Sequence, residues 1–332
     1  MSISQDYIFD DNLYSSLNKQ REGISMGMDD CDGVIWLDGE FIPWKDAKIH
    51  VLTHTLHYGM GVFEGVRAYQ STNGTAIFRL NDHTNRLFSS AHILNMPMPY
   101  DKKTINDACL DAVKKNNLET AYIRPMCFYG SEGMGLRADN LRTHVMIAAW
   151  AWGSYLGTEG LEKGIRVKTS SFTRHHVNIT MCKAKANGNY MNSMLALQDA
   201  LSAGYDEALL LDVDGYVAEG SGENIFIARN GILYTPDLTS ALEGITRDTI
   251  IQFAGKNNII VKEKRVTRDE VYIADEAFFT GTAAEVTPIR EVDNRVIGNG
   301  GKGPITERLQ KQYFDCVSGK VEEYKNWLNY IS

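Results

Sequence analysis

The sequence predicts a two-domain α/β protein of the α+β kind, in which strands and helices intermix without strict alternation. Three observations predict it. The 332 residues exceed what one hydrophobic core usually supports. Asp-Gly and Asn-Gly pairs set between apolar runs, at Asp38-Gly39, Asp214-Gly215 and Asn230-Gly231, point to antiparallel hairpins. The strand pattern also halts at a Gly-containing segment, Gly153 to Gly160, and restarts beyond it. The expected organisation is an extension over 1–32, a smaller N-terminal α/β domain over 33–152 and an interdomain loop over 153–160. A larger C-terminal domain with a mixed or antiparallel sheet fills 161–332.

The elements follow in order. Val34–Leu37 and Phe41–Trp44 flank Asp38-Gly39, a pair suited to two turn residues of positive φ. His54 to Tyr69 is rich in aromatic and histidine residues and broken by Gly59, Gly61 and Gly65. Leu87, Ala91 and Leu94 repeat at three- and four-residue spacing, which predicts a helix from Asp82, and a second is expected from about Thr104 to Lys115. Ala121–Phe128 and Val145–Trp152 read as buried strands. In the second half, Ala208–Val213 and Tyr216–Ala218 form one hairpin, and Asn224–Ala228 and Ile232–Thr235 another. Helices are expected over Met191–Ala203, Arg247–Lys256 and Pro304–Val317. The glycine-rich Gly298–Gly303 lacks the Ser/Thr that a phosphate loop needs after its lysine, and reads as a loop opening a helix at Pro304.

Composition narrows the function. With 43% hydrophobic and 23% charged residues the chain is an ordinary globular protein. A formal charge of −8 without long Lys/Arg runs argues against nucleic acid or an anionic membrane as partner. No apolar stretch approaches the roughly 20 residues that span a bilayer. The N-terminal segment has neither the apolar core of a secretory signal nor the Arg-rich character of a transit peptide. Five scattered cysteines, with no Cys-x-x-Cys pair, fit a reducing cytoplasm rather than a disulfide framework or zinc site.

Four short segments carry chemistry. Ala184–Tyr190 sets Lys185 before a Gly/Asn turn and a tyrosine, with Lys183 two residues earlier. Glu219–Asn224 places two acids in a small-residue loop. Gly244–Asp248 reads as a helix start with Thr246 as N-cap, and Gly281–Glu285 is a second small-residue turn. Together they offer what pyridoxal phosphate needs: a Schiff-base lysine, an acid beside the pyridine nitrogen, and donors for a phosphate at a helix N-terminus.

In order and spacing, these segments and three others resemble fold-type-IV pyridoxal-phosphate enzymes, and closely the branched-chain-amino-acid aminotransferases. The other three are His54–Tyr69, Tyr122–Pro125 and Trp152–Gly157, and the similarity runs from about Val34 to the C-terminus. The resemblance implies that Lys185 bonds the cofactor and moves the proton between Cα and C4′. It implies that Glu219 meets the pyridine nitrogen and that Tyr190 bonds the cofactor's phenolic oxygen. Arg67, Thr246, Thr282 and the backbone around Leu242, Gly244, Ile245 and Thr246 would hold the cofactor between the domains, Arg67 taking the phosphate. Glu223 would serve the structure of its loop.

For the substrate, the resemblance implies an aromatic pocket of Tyr58, Phe63, Trp152 and Tyr155. Tyr122 and Arg124, two apart on one strand, share a face. The tyrosine, with the N–H groups of Thr282 and Ala283, would take the α-carboxylate, and the arginine the glutamate side chain. The implied reaction moves the amino group of L-leucine, L-isoleucine or L-valine to 2-oxoglutarate, in a cytoplasmic homodimer or hexamer of dimers whose neighbouring subunit helps close the pocket. A lyase acting on a chorismate-type ring, a D-amino-acid or amine transaminase, and a non-catalytic regulator are the competing readings. Retention of both Lys185 and Glu219 opposes the last.

Overall fold

The computed structural model describes residues 27–137, 139–153 and 156–331, the side chain of Thr158 excepted. The first half carries β1 (Val34–Leu37), β2 (Glu40–Pro43), α1 (His54–Tyr58), β3 (Gly61–Phe63), β4 (Val66–Ser71), β5 (Gly74–Phe78), α2 (Leu80–Ile93), α3 (Lys102–Lys115), β6 (Ala121–Tyr129) and β7 (Thr143–Trp150). Next come α4 (Gly157–Lys163), β8 (Ile165–Thr169), α5 (Tyr190–Ser202), β9 (Glu207–Leu211), β10 (Val217–Gly220), β11 (Asn224–Arg229), β12 (Ile232–Thr235), α6 (Ile245–Lys256) and β13 (Val261–Glu263). The chain closes with α7 (Arg268–Tyr272), β14 (Glu276–Gly281), β15 (Glu285–Val292), β16 (Arg295–Val296), α8 (Pro304–Val317) and β17 (Leu328–Tyr330).

The strands make two sheets. The first runs β17-β5-β4-β6-β7-β1-β2, with β3 also on β6, and every pairing in it is antiparallel. The second runs β10-β9-β8-β15-β14-β11-β12-β13, with β16 on β15. It is mixed, since β8 lies parallel to both β9 and β15, and β12 parallel to β13. The last strand of the chain thus belongs to the first sheet, paired with β5.

Local chemistry explains the elements. Asp38 and Gly39 turn β1 into β2 with φ of 50° and 104°, and Asn230 and Gly231 do the same for β11 and β12 at 51° and 74°. On α2 the buried residues Leu80, Thr84, Leu87 and Ala91 form one face against the first sheet. Gly303 caps α8 and Pro304 occupies its first turn. Three expectations are corrected. The 153–160 segment is not loop throughout, because α4 begins at Gly157, and β7 stops at Trp150 rather than Trp152. Thr246 is not the cap of α6; Gly244 is, and Thr246 lies within the first turn.

Two layers hold the site. One cluster packs Val62, Ile77, Ile123 and Ile147 of the first sheet against Leu87 and Ile105 of the helices. Another joins the sheets, with Phe78 and Leu328 from the first, Phe226 and Phe278 from the second, and Phe253 and Tyr313 from α6 and α8. Burial of each such side chain is worth about 1.5–3 kcal/mol. Among the described residues no helix is long and apolar enough to cross a membrane.

Candidate active site

Where the two sheets meet, a cavity of about 490 Å³ is lined from both. Lys185 enters it from the segment before α5. Its peptide is fixed on both sides, since Phe63 N donates to Lys185 O at 3.0 Å and Lys185 N donates to Ser90 Oγ at 3.0 Å. Lysine and phenylalanine therefore reach the cavity together. Lys185 Nζ donates to the Tyr190 hydroxyl at 2.7 Å. Lys183, by contrast, is partly exposed and bonds the carbonyls of Leu238 and Ala241.

Glu219, at the end of β10, forms another part of the wall. Its Oε1 lies 2.8 Å from Arg174 Nε in an ion pair, and its Oε2 accepts from Leu242 N at 3.2 Å. Both side chains are over nine-tenths buried. At this wall Glu223 accepts from Gly222 N, which ties its carboxyl to its own loop.

A third group is built for an anion. Gly244, Ile245 and Thr246 line the cavity at the start of α6, where first-turn N–H groups have no intrahelical acceptor. Glycine is required at 244, since an added Cβ would stand 1.9 Å from Asn224 Oδ1. Beside this turn lies Arg86, from α2, which the sequence reading missed. Its Nη1 donates to Glu243 O at 2.7 Å, while Nε and Nη2 bond Glu64 at 2.7 and 2.9 Å. Glu64 also accepts from His83 Nδ1 at 2.7 Å. Burial pushes the Glu64 carboxyl up, but Arg86 and His83 outweigh it and hold Glu64 well below the usual carboxylate range. Burial lowers His83 and favours its neutral form.

Arg67 is not at the cavity. It stands on β4 with Nη1 3.1 Å from Glu285 Oε1 of β15, and Tyr69 donates to the same oxygen at 3.0 Å. The Tyr69 and Tyr313 hydroxyls are 3.1 Å apart. Burial raises the Glu285 carboxyl against the pull of Arg67. Both charges of this pair are spent joining the two sheets, so the expected phosphate arginine is instead a buried tie. A clue to Arg86 was present in the sequence: on the apolar face of α2, His83 and Arg86 interrupt the run from Leu80 through Leu87 to Ala91. A cation there needs an anion.

Phe63, Tyr122, Arg124 and Trp152 all line the cavity, with Met126 and Trp150 beside them and Thr282 and Ala283 from the turn after β14. Tyr122 packs between Trp150 and Trp152, at centroid distances of 5.2 and 5.3 Å. The Arg124 guanidinium lies 4.7 Å from the Phe63 ring centre, and its buried Nε has no hydrogen-bond partner. Gly65 admits Tyr122, because a Cβ there would stand 1.9 Å from its hydroxyl. Two expected pocket residues are not brought in. Tyr58 is 40% exposed on α1, its hydroxyl accepting from Gly135 N, and Tyr155 lies outside the described residues.

These groups fit pyridoxal phosphate. One cavity is lined by a lysine, a buried acid, and an arginine beside the first turn of a helix. Arg124, over the Phe63 ring with its Nε unpartnered, is a further cation at this cavity.

Comparison with known proteins agrees. Residues 61–292 match the family model described as amino-transferase class IV. The chain is 68% identical over 302 residues to a branched-chain-amino-acid aminotransferase of Pseudomonas aeruginosa, covering 91% of this chain and 98% of that one. With the enzyme of the same description from Escherichia coli it shares 46% identity over 300 residues, covering 90% of this chain and 97% of that one. Among solved structures, the T.th. branched-chain amino acid aminotransferase with pyridoxamine 5'-phosphate superposes with a TM-score of 0.89 at 47% identity. That match covers 91% of this chain and 99% of the other.

Proposed function

The chain belongs to the class IV amino-transferase family, and from that premise we propose that it is a pyridoxal-phosphate-dependent branched-chain-amino-acid aminotransferase. It moves the amino group of L-leucine, L-isoleucine or L-valine to 2-oxoglutarate, reversibly and by a ping-pong route. The observation that carries this reading is the wall around Arg124. Phe63, Met126, Trp150 and Trp152 offer an apolar surface to a branched side chain, and one cation at its edge can meet the second carboxylate of glutamate. A single pocket thereby serves both half-reactions.

The bound cofactor supplies an electron-withdrawing ring that stabilises the charge left at Cα when its proton departs. The protein does the rest. Lys185 would hold the cofactor, and its amine stands where it would take up and return the substrate's Cα proton. Tyr190, 2.7 Å from the Lys185 amine, orients it and bonds the phenolic oxygen. Glu219 would hold a proton at the ring nitrogen. Arg86 would take the phosphate with the Ile245 and Thr246 N–H groups, the Thr246 hydroxyl and Thr282. The α-carboxylate lies against the Tyr122 hydroxyl and the Thr282 and Ala283 N–H groups.

The enzyme works as a cytoplasmic homodimer, alone or as the unit of a hexamer. Five unpaired cysteines support the compartment. Val51, Leu52, Leu56, Met134 and Leu136 support the dimer, being 46–91% exposed around α1 and the 133–136 loop. Tyr58 stands in this patch, and it completes the partner's pocket rather than its own.

The test is a half-reaction without an acceptor. L-leucine added to the pyridoxal-phosphate-loaded protein is expected to bleach the visible cofactor band, and D-alanine to leave it unchanged. Bleaching by D-alanine alone would overturn the substrate pocket, and no cofactor band at all would overturn the family chemistry.

A further inference from the structure

Three carboxylic acids stand together at the cofactor wall, Glu219 and Glu223 lining it and Glu207 behind it. Glu219 ends β10, Glu223 opens the turn into β11, and Glu207 lies on the adjacent strand β9. They are 4%, 5% and 0% exposed. Cations near them are few. Arg174 is paired with Glu219 by charge, with Nε 2.8 Å from Oε1 though outside hydrogen-bond geometry. The Arg174 Nη1 donates more weakly to Asn192 Oδ1 and Ser193 Oγ, at 3.4 and 3.3 Å. Glu207 has no ion pair: Oε1 accepts from Ala208 N at 2.7 Å, and Oε2 has no hydrogen-bond partner. Among the described residues Glu223 accepts from the Gly222 N–H at 3.0 Å, and the Lys185 amine is the cation that opposes its rise.

We propose that Arg174 is a positioning residue that makes Glu219 the single charged acid of this cluster, with Glu207 and Glu223 held neutral. The inference rests on the cofactor reading above and says how that site is kept in the right protonation state. Three buried carboxylates with one arginine among them would leave two charges unpaired, which costs far more than keeping two protons. Which acid ionises is then set by where the guanidinium sits. In agreement, burial pushes Glu207 up to about 7, and burial and the neighbouring acids raise Glu223 well above the carboxylate range.

The functional consequence concerns one proton. Glu219 and the cofactor's ring nitrogen share it. With Arg174 paired to Glu219, the carboxylate is stabilised and the proton resides on nitrogen. Without the guanidinium the same proton moves to a Glu219 oxygen, the nitrogen becomes neutral, and no proton is gained or lost. Lys185, Tyr190 and Cys182 also stand near Arg174 and Glu219, but none of them is a permanent guanidinium that can replace Arg174 against Oε1.

The test uses holoenzyme loaded with pyridoxal phosphate labelled with 15N in the ring, and reads the nitrogen chemical shift. Wild type and Arg174→Lys are expected at the protonated position. Arg174→Gln is expected to move most of the way to the unprotonated one, with kcat at least tenfold lower. Recorded below pH 7, Glu207→Gln is expected to leave the signal in place, because there it removes no charge. An unshifted Arg174→Gln signal, or a Glu207→Gln signal that moves as far, overturns the proposal. Infrared difference spectra of wild type against Glu207→Gln give an arm that does not depend on how Arg174→Gln folds. A protonated-carboxyl band lost in the variant is expected, and its absence from wild type overturns the neutral-acid assignment. Because every sample already carries bound cofactor, a failure here falls on Arg174 and leaves the aminotransferase reading standing.

Discussion

At the scale of the residue, two arginines with similar sequence surroundings have different jobs. Arg67 follows an apolar strand start and Arg86 sits in an apolar helix face, and nothing in one dimension says which guanidinium reaches the cavity. The register of β4 against β6 and the contact with β15 decide it, and these are long-range pairings. Arg86→Ala is expected to raise the dissociation constant for pyridoxal phosphate by tenfold or more, since a charge-assisted bond to a phosphate contributes about 1.5–3 kcal/mol. Arg67→Ala is expected to cost about 3–5 kcal/mol of folding stability by stranding the buried Glu285 charge. Equilibrium dialysis of the cofactor and urea unfolding of the cofactor-free protein separate the two effects. An Arg67 variant of normal stability with lost cofactor binding would restore the original assignment. Lys185, Tyr190 and Glu219 were legible because their chemistry is stated by residue type within short motifs, which the cavity then collects.

At the scale of the element, turns and helix ends were the most legible features because their causes are local. The hairpins at Asp38-Gly39 and Asn230-Gly231 adopt the positive φ values that these residues tolerate, and Pro304 opens α8 where it was expected. The start of α6 was misjudged by two residues. Thr246 is a good cap by type, yet the close packing of Gly244 on Asn224 moves the helix start upstream, and that contact crosses 20 positions of sequence. Strand β17 was not expected at all, because three residues carry no periodicity and its partner β5 lies some 250 positions earlier. The link between β3 and β4 makes a prediction of its own. Gly65→Ala would drive a methyl group into the Tyr122 hydroxyl and tilt that ring against Trp150 and Trp152. KM for L-leucine and for L-glutamate is expected to rise about tenfold, near the 1–3 kcal/mol typical of overpacking. Cofactor affinity is expected to fall less, since the Tyr122 hydroxyl accepts from Arg124 rather than from a phosphate donor. Steady-state kinetics beside a cofactor titration check this, and an equal loss of both would place the strain elsewhere.

At the scale of the molecule, buried charge shapes stability and exposed apolar surface shapes assembly. Glu64, held low by Arg86 and His83 against burial, contributes stability above the unfolded carboxyl value of about 4.3, and this is lost as pH falls through its folded value. Glu207 has the opposite sign. Raised by burial to about 7, it contributes stability that is full below the unfolded value and lost as pH rises through 7. Glu207→Gln is therefore expected to gain roughly 1–3 kcal/mol over wild type at pH 8 relative to pH 5, and urea midpoints at the two pH values check it. Assembly supplies the last prediction. Leu56 is 63% exposed and Leu136 91% exposed, on two segments tied together by the His54 bond to Gly135 O at 2.7 Å and by the Tyr58 bond to Gly135 N. Apolar groups held this rigidly in water favour a second copy, because covering each leucine is worth about 1.5–3 kcal/mol. Leu56→Glu with Leu136→Glu is expected to shift the proposed dimer to monomer in sedimentation velocity. Cofactor binding should survive, because Lys185, Glu219 and Arg86 all come from one chain, while turnover of L-leucine falls steeply as the partner's Tyr58 leaves the pocket. A fully active monomer would show that each chain closes its own site and that Tyr58 has no part in it.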